Sequence, residues 1–453
     1  MKIRMHFYAF LLAFFGLATV TSFLYAVVSI VQKEAYMDEE FHIPQAQAYC
    51  DHNFTHWDPK ITTPPGLYLT SLALTTVTNI FTSNNLCTVE DLRLTNSFLT
   101  VLNLWLSCLI SIKLAYAYAT VKVRVKLVFS SAVLTTLPVL YFFTFLYYTD
   151  PGTVFFLQLM YLYHLFEGYW MAAAFGAASV LFRQTSVVWV AMLAGCRLLE
   201  IVEEECFQDI KPCDVVKSVI QKWAVVVQKI FLDCLGYIVV GVLFLTFLFY
   251  NGSIVLGDKS AHQACFHLAQ LGYFLLFTLI HAAPYLLHPS VVKDFCGSVV
   301  RHCWFYVLLA ALSIAGVKQF SYTHPYLLAD NRHFTFYLWR KFLGKGTELR
   351  CALVPLYIYA GYAVLWHLRH KRLTWRVLYC LAVLATTVPQ RLLELRYFIV
   401  PYLFFRLNLK CPSYVQLLLE FGIYTVINVA AFYLFLGRTF YWEGMPTPQR
   451  FMW

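Results

Sequence analysis

Apolar runs long enough to cross a lipid bilayer follow one another along almost the whole chain. A span needs about 20 consecutive apolar residues, and Phe7–Val31, Leu94–Ala119, Leu127–Tyr147, Val225–Tyr250, Ala264–Leu287 and Tyr414–Leu436 meet or approach that length. Charged residues make up only 13% of the 453 residues and mean hydropathy is +0.63. Too few polar side chains remain to cover the surface of a water-soluble protein of this size. The expected fold is therefore an all-α polytopic membrane protein, one integral membrane domain over residues 1–453. The formal charge of +10 does not indicate nucleic acid, because Lys and Arg fall in short clusters between apolar runs, as the positive-inside rule expects. The 13 Cys are scattered without zinc-type spacing.

Lys2 and Arg4 precede the first run, which is too long for a signal-peptide core and reads as a retained helix with a cytosolic N-terminus. Residues 32–93 follow, rich in carboxylates, with one short apolar run at Leu67–Phe81 that begins after Pro64-Pro65-Gly66. If that run crossed, the basic cluster Lys122, Arg124, Lys126 would lie outside the cytosol. The segment is therefore expected to be a long, structured first luminal loop containing an interfacial helix. Alternation from there gives about 13 spans, within a range of 12–14. It makes residues 319–350 a second luminal polar segment. Two sequons, at Asn53 and Asn251, both fall on the luminal side, and Asn53 is the expected glycosylation site. Cys50 and Cys87 share the first luminal loop, which is oxidising, and are expected to form a disulfide.

The cytosolic loops carry the basic clusters, whereas the luminal segments group carboxylates, His, Arg, Trp and Tyr. Such groups suit a substrate that is half lipid and half sugar. A carboxylate can take a proton from a sugar hydroxyl. Arg and His can neutralise a phosphate leaving group, Arg through its planar fork. Aromatic faces pack on sugar rings. Each group alone could equally cap a helix or face water. A transporter or channel-associated protein would instead place ionisable groups within its helices along a pathway.

The clusters also carry a resemblance. Met37-Asp38-Glu39, Phe41-His42, Pro44-Gln45-Ala46-Gln47, Trp57-Asp58-Pro59, Ile61-Thr62-Thr63 and Pro65-Gly66-Leu67-Tyr68 resemble the eukaryotic dolichyl-phosphate-glucose-dependent α-1,2-glucosyltransferases of N-glycan assembly. So do Phe182-Arg183-Gln184-Thr185, Gly257-Asp258-Lys259-Ser260, Leu327–Phe336 and Leu392-Leu393-Glu394 with Arg396-Tyr397-Phe398. Glu40 departs from the pattern, since an apolar residue is expected there. The resemblance implies a type C glycosyltransferase fold in the endoplasmic reticulum membrane, with a luminal active site. It implies transfer of the third, terminal glucose, with inversion, from dolichyl phosphate glucose to the diglucosylated dolichyl-diphosphate-linked oligosaccharide. The partners are then these two lipid-linked substrates and the surrounding lipids, with no cofactor and no metal. It assigns Asp38 as general base, with Glu39 as the alternative, and Arg332, His333 and Arg396 as donor-phosphate ligands. His42, Trp57, Asp58, Asp150, Arg183 and Gln184 become candidate substrate contacts. Another lipid-linked sugar transferase with a different acceptor remains an alternative.

Overall fold

The computed structural model describes residues 2–81, 87–115, 120–206, 222–259, 264–444 and 447–453. Ser260, Ala261 and His262, which extend one of the luminal motifs, lie outside them. The described chain is helical apart from one short antiparallel pair, Thr439–Phe440 with Gln449–Arg450. Its first nine helices are α1 (Lys2–Val31), α2 (Glu39–Cys50), α3 (Gly66–Phe81), α4 (Val89–Leu114), α5 (Val121–Thr135), α6 (Pro138–Phe142), α7 (Asp150–Leu165), α8 (Tyr169–Phe182) and α9 (Ser186–Cys206).

Five helices are long and apolar enough to cross a membrane by length and composition, among them α1, α4, Trp223–Asn251 and Tyr414–Gly437. Two bent pairs raise the number to seven: α5 with Pro138–Phe145 at 62°, and Pro289–Arg301 with Cys303–Gln319 at 99°. The count of about 13 drawn from the sequence treats each short apolar run as a crossing. In the structure those runs form separate short helices, such as the 16-residue α7, mostly buried, and the 14-residue α8, which keeps Trp170, Met171 and Leu181 exposed. The long helix Trp223–Asn251 instead turns Phe231, Leu243, Leu245 and Phe249 outward, the surface of an element facing hydrocarbon.

One ion pair lies deep among the helices. Arg406 donates to Glu420 through Nε (2.8 Å) and Nη2 (2.7 Å), and Nη2 also reaches Ser130 and Tyr285. Both side chains are buried and mutually satisfied, so they join helices and line no pathway.

The backbone between α6 and α7 is a single 3-10 turn, Phe143–Phe145, followed by an irregular stretch, and polar groups of both are paired by α4. Asn96 donates to the carbonyls of Leu146 (2.7 Å) and Tyr148 (2.8 Å), and Ser97 donates to that of Thr144 (3.0 Å). Irregular backbone inside a membrane protein needs such partners. Here they fix the approach to Tyr148-Thr149-Asp150. Gly152, in the first turn of α7, has no room for a side chain, because a Cβ there would run into the Phe182 ring. That close approach brings the end of α8, and with it Arg183, against the start of α7.

Residues 32–93 leave and rejoin the bundle at one point. Arg93, in α4, donates to the carbonyls of Gln32 (2.5 Å) and Glu34 (2.9 Å), just beyond α1. Within the loop, Ile43, Ala46, Tyr49, Ile61, Leu67 and Tyr68 form a small apolar core of their own with Leu92, Tyr147 and Phe182. Cys50 and Cys87 are bonded across it, 37 residues apart, with Cα atoms 6.7 Å apart. Closing a loop of that length restricts the unfolded chain by roughly 4 kcal/mol. Non-reducing peptide mapping should recover the Cys50–Cys87 linked peptide, and Cys50→Ser should lower the melting temperature. Recovery of both thiols free would contradict this arrangement.

Candidate active site

The site begins with a tight turn after α1. Met37 adopts a left-handed conformation (φ 59°), which ends the extended stretch before it and sets Asp38 at the N-cap of α2. Successive helical residues point about 100° apart, so three consecutive carboxylates meet three environments. Glu40 is exposed to solvent. Glu39 is fully buried and points inward. The Asp38 side chain is 47% exposed and lies beside Arg396, which itself lines a cleft.

Glu39 has no spare oxygen to offer. Oε1 accepts from Arg93 Nε (2.9 Å) and the Tyr147 amide (2.6 Å); Oε2 accepts from Arg93 Nη2 (2.6 Å) and the Tyr36 amide (3.1 Å). Its expected standby role as base therefore gives way to that of an anchor, since a carboxylate so enclosed cannot meet a substrate hydroxyl.

Asp38 lies 3.5 Å from Arg396 Nη2, and its amide donates to the Tyr148 hydroxyl (3.3 Å). Arg396 lies over the Phe143 and Tyr148 rings at 5.0 Å each, pairs with Glu394, and lies 3.7 Å from Asp150. Asp150 is in turn held by Arg183 at 3.1 Å, while Arg183 Nε donates to Thr149 (3.1 Å). Asp38, Asp150 and Glu394 thus surround Arg183 and Arg396. Three carboxylates against two guanidiniums leave a net charge of −1 when all are ionised. Burial pushes the Asp150 carboxyl above its usual range, and Arg183 and Arg396 only partly pull it back. Burial pushes Glu394 the same way, but there Arg396, Arg183 and His333 prevail and hold it below its usual range. Arg396 also resists burial, kept charged by Glu394, Asp150 and Asp38. A small cleft of about 30 Å³ opens at this cluster, lined by Asp150, Arg183, Gln390, Arg396 and Tyr397.

The other expected contacts divide. His42 is buried behind Asp38, its Nδ1 2.5 Å from the Tyr68 hydroxyl, and burial lowers it to about 4, so it is neutral at physiological pH. Trp57 packs its ring on Tyr68, 6.1 Å between centroids, with its indole nitrogen buried and without a partner. Asp58 caps its own loop, accepting from the Lys60 amide (2.8 Å). Gln184 is buried and donates to the Thr62 carbonyl (2.7 Å), bracing the loop. Asn53 is exposed, with its Oδ1 accepting from Thr55 (2.9 Å).

Arg332 and His333 border the cluster but are held by the segment after Tyr414–Gly437. Arg332 grips Asp330 with Nε (2.9 Å) and Nη2 (2.8 Å), donates from Nη1 to Gln449 (3.0 Å), and stacks 4.5 Å from the Trp442 ring. His333 Nδ1 pairs with the Trp453 carbonyl (2.8 Å). The Phe334 and Met452 amides complete a parallel bridge, and Trp442 donates to Asn331 (2.8 Å). Arg450 ties this segment to the first loop through Tyr36 and Gln32. Sequence reasoning placed Tyr68, Tyr148 and Glu394 in its motif groups without giving them a role, and missed Arg93, Trp442, Gln449, Arg450, Met452 and Trp453. Arg93 carried one available signal, a charge at the start of an apolar helix, which needs a partner.

Comparison with known proteins now bears on this geometry. Residues 32–407 match the DIE2/ALG10 family. The chain belongs to that family. It is similar to the human Dol-P-Glc:Glc(2)Man(9)GlcNAc(2)-PP-Dol alpha-1,2-glucosyltransferase, 37% identical over 456 residues and 96% of each chain. The mouse protein of the same name is also 37% identical over 96% of each chain. The one from Drosophila melanogaster is 38% identical over 92% of this chain and 93% of its own. No solved structure matches. This DIE2/ALG10 member is thus a membrane glycosyltransferase, and the transporter reading falls. The matched span contains Asp38, Asp150, Arg183 and Arg396 but ends before residues 442–453.

Glu39 and Asp38 should respond to substitution in opposite ways. Removing one partner of a buried ion pair costs about 3–5 kcal/mol, so Glu39→Gln should lower thermal stability and yield. Asp38→Asn should fold with a near-native melting temperature. Equal melting temperatures for the two variants would overturn the division between anchor and cleft residue. Acid should act on the loop through His42. Its folded pKa, about 4, lies below the unfolded value of 6.5, so its stabilising contribution is present above 6.5 and is lost as pH falls toward 4. His42→Gln should flatten that dependence in melting temperatures measured between those limits.

Proposed function

We propose that the enzyme transfers glucose, in α-1,2 linkage and with inversion, from dolichyl phosphate glucose to the diglucosylated dolichyl-diphosphate-linked oligosaccharide, adding its terminal glucose. The names of the relatives supply both substrates. We further assign the reaction to the luminal face of the endoplasmic reticulum membrane, with residues 32–93 and 319–350 as luminal segments of one membrane domain.

The observation that carries the mechanism is the placement of Asp38 beside Arg396, 3.5 Å apart at the rim of an otherwise buried charge cluster. Inversion by direct displacement needs one base and a stabilised leaving group. A phosphate leaves without a proton, so the two-carboxylate logic of glycosidases reduces to one. Asp38, half exposed, accepts the proton of the attacking acceptor hydroxyl as the glycosidic C–O bond to phosphate breaks. Arg396 receives the donor phosphate by exchanging contact with a carboxylate for contact with the phosphate oxygens. Its proximity to Asp38 makes it the first phosphate ligand, ahead of Arg332, whose fork is engaged by Asp330. Arg332 and His333 then border the same anion from the side, and fixed cations stabilise the departing charge without reorganisation. Asp150 and Arg183 hold Arg396 in place, and Trp57 and Tyr148 supply aromatic faces.

An in vitro assay with synthetic dolichyl phosphate glucose and the diglucosylated acceptor tests this reading. Wild-type protein should transfer one glucose. Asp38→Asn should lose roughly 10²–10⁴-fold in rate, the usual contribution of a general base. Arg396→Lys keeps the charge but loses the fork, and should impair donor use more than acceptor use. Near-native transfer by folded Asp38→Asn would remove it as base. No transfer by wild-type protein would remove the acceptor assignment.

A further inference from the structure

Helices α7, α9 and Leu373–Thr387 each border two cavities, one at either end. The first is the cleft at Asp150 and Arg396. The second has a volume of about 190 Å³ and is bounded by Leu114, Tyr161, Leu193, Glu200, Lys371 and Trp375. Along α7 the two are separated by the stretch from Asp150 to His164, a rise of about 20 Å. The second cavity therefore lies at the other end of α7 from the charge cluster.

Leu114, Tyr161, Leu165, Leu193 and Trp375 give it an apolar and aromatic side, and its charge is unbalanced. Lys371 lies 5.4 Å from the Trp375 ring, and among the described residues no carboxylate is paired with its ammonium. Glu200 faces the same space but is matched by Arg197 at 3.7 Å. Arg372, at the mouth, reaches outward to Glu203 (3.1 Å) and is mostly exposed. Burial pushes the Lys371 ammonium down to about 8, so it is still largely protonated at neutral pH. A half-enclosed cation without a counter-ion, next to apolar walls, is the complement of an anionic head on a hydrocarbon body.

We propose that this cavity is a second ligand site, which takes a phosphate group on Lys371, with Arg372 at the entrance and hydrocarbon against Leu114 and Leu193. A phospholipid headgroup and free phosphate share that chemistry. The apolar walls favour the lipid.

The test uses the full-length protein in phosphatidylcholine nanodiscs with a trace of photoactivatable phosphatidic acid. Labelling should map to peptides around residues 371–375, and Lys371→Gln and Arg372→Gln should each weaken it, Lys371→Gln by roughly tenfold or more. Melting temperature and gel filtration report folding, and Arg372 is exposed enough for its variant to fold whatever becomes of the other. Displacement by inorganic phosphate supports a site open to either source, and persistence of the label supports a lipid site. Equal labelling of wild type and both variants, or equal labelling by a photoactivatable phosphatidylcholine, would overturn the proposal.

Discussion

The salt bridge between Glu39 and Arg93 organises the catalytic end of this protein. Both side chains are fully buried, and between them they bind the start of the first loop, its end, and the irregular backbone at Tyr147. A buried ion pair seldom adds much net stability over an apolar contact, because desolvation offsets its attraction. What it supplies here is register. With Glu39 fixed inward, the helical turn of α2 leaves Asp38 at the cleft and Glu40 in solvent. Shifted by one residue, the carboxylate at the cleft would be a different one.

The same economy governs the charge cluster. Arg396 is buried among aromatic rings and carboxylates, an arrangement that would be costly unless its five donors were matched. Glu394 accepts from its Nε, Asp38 and Asp150 lie 3.5 and 3.7 Å from its Nη atoms, and Arg183 prevents the carboxylates from outnumbering the cations by more than one. Such a set is poised for exchange, because an incoming phosphate can take the place of one carboxylate oxygen at little electrostatic cost. The surrounding loops are braced without help from substrate, through Gln184 to Thr62 and through Arg450 to Gln32. The first shell is therefore preorganised before anything binds.

Much of this was legible in the sequence. Hydrophobic run lengths indicate an all-helical membrane protein, because lipid leaves the backbone few alternatives. Motif residues brought Asp38, Asp150, Arg183 and Arg396 into consideration together. Other features were not legible. Local patterns do not set where one helix ends and the next begins, as in the short helices α7 and α8. The contrast between Asp38 and Glu39 depends on a partner 54 residues away. Residues 442–453 carry no motif, and their hold on Arg332 and His333 arises only from tertiary pairing. The pairing of Arg332 with Asp330, two residues away, is local, and it takes the Arg332 fork.

The central claim is that Asp38 and Arg396 act as a pair on one substrate, base on one side and phosphate ligand on the other. It is tested most directly by an experimental structure of the wild-type protein with a non-transferable dolichyl phosphate glucose analogue. The account predicts the phosphate oxygens within hydrogen-bond reach of Arg396, about 2.7–3.2 Å, with the sugar's anomeric carbon facing the space beside Asp38. A phosphate seated away from Arg396, or a sugar turned from Asp38, would contradict it.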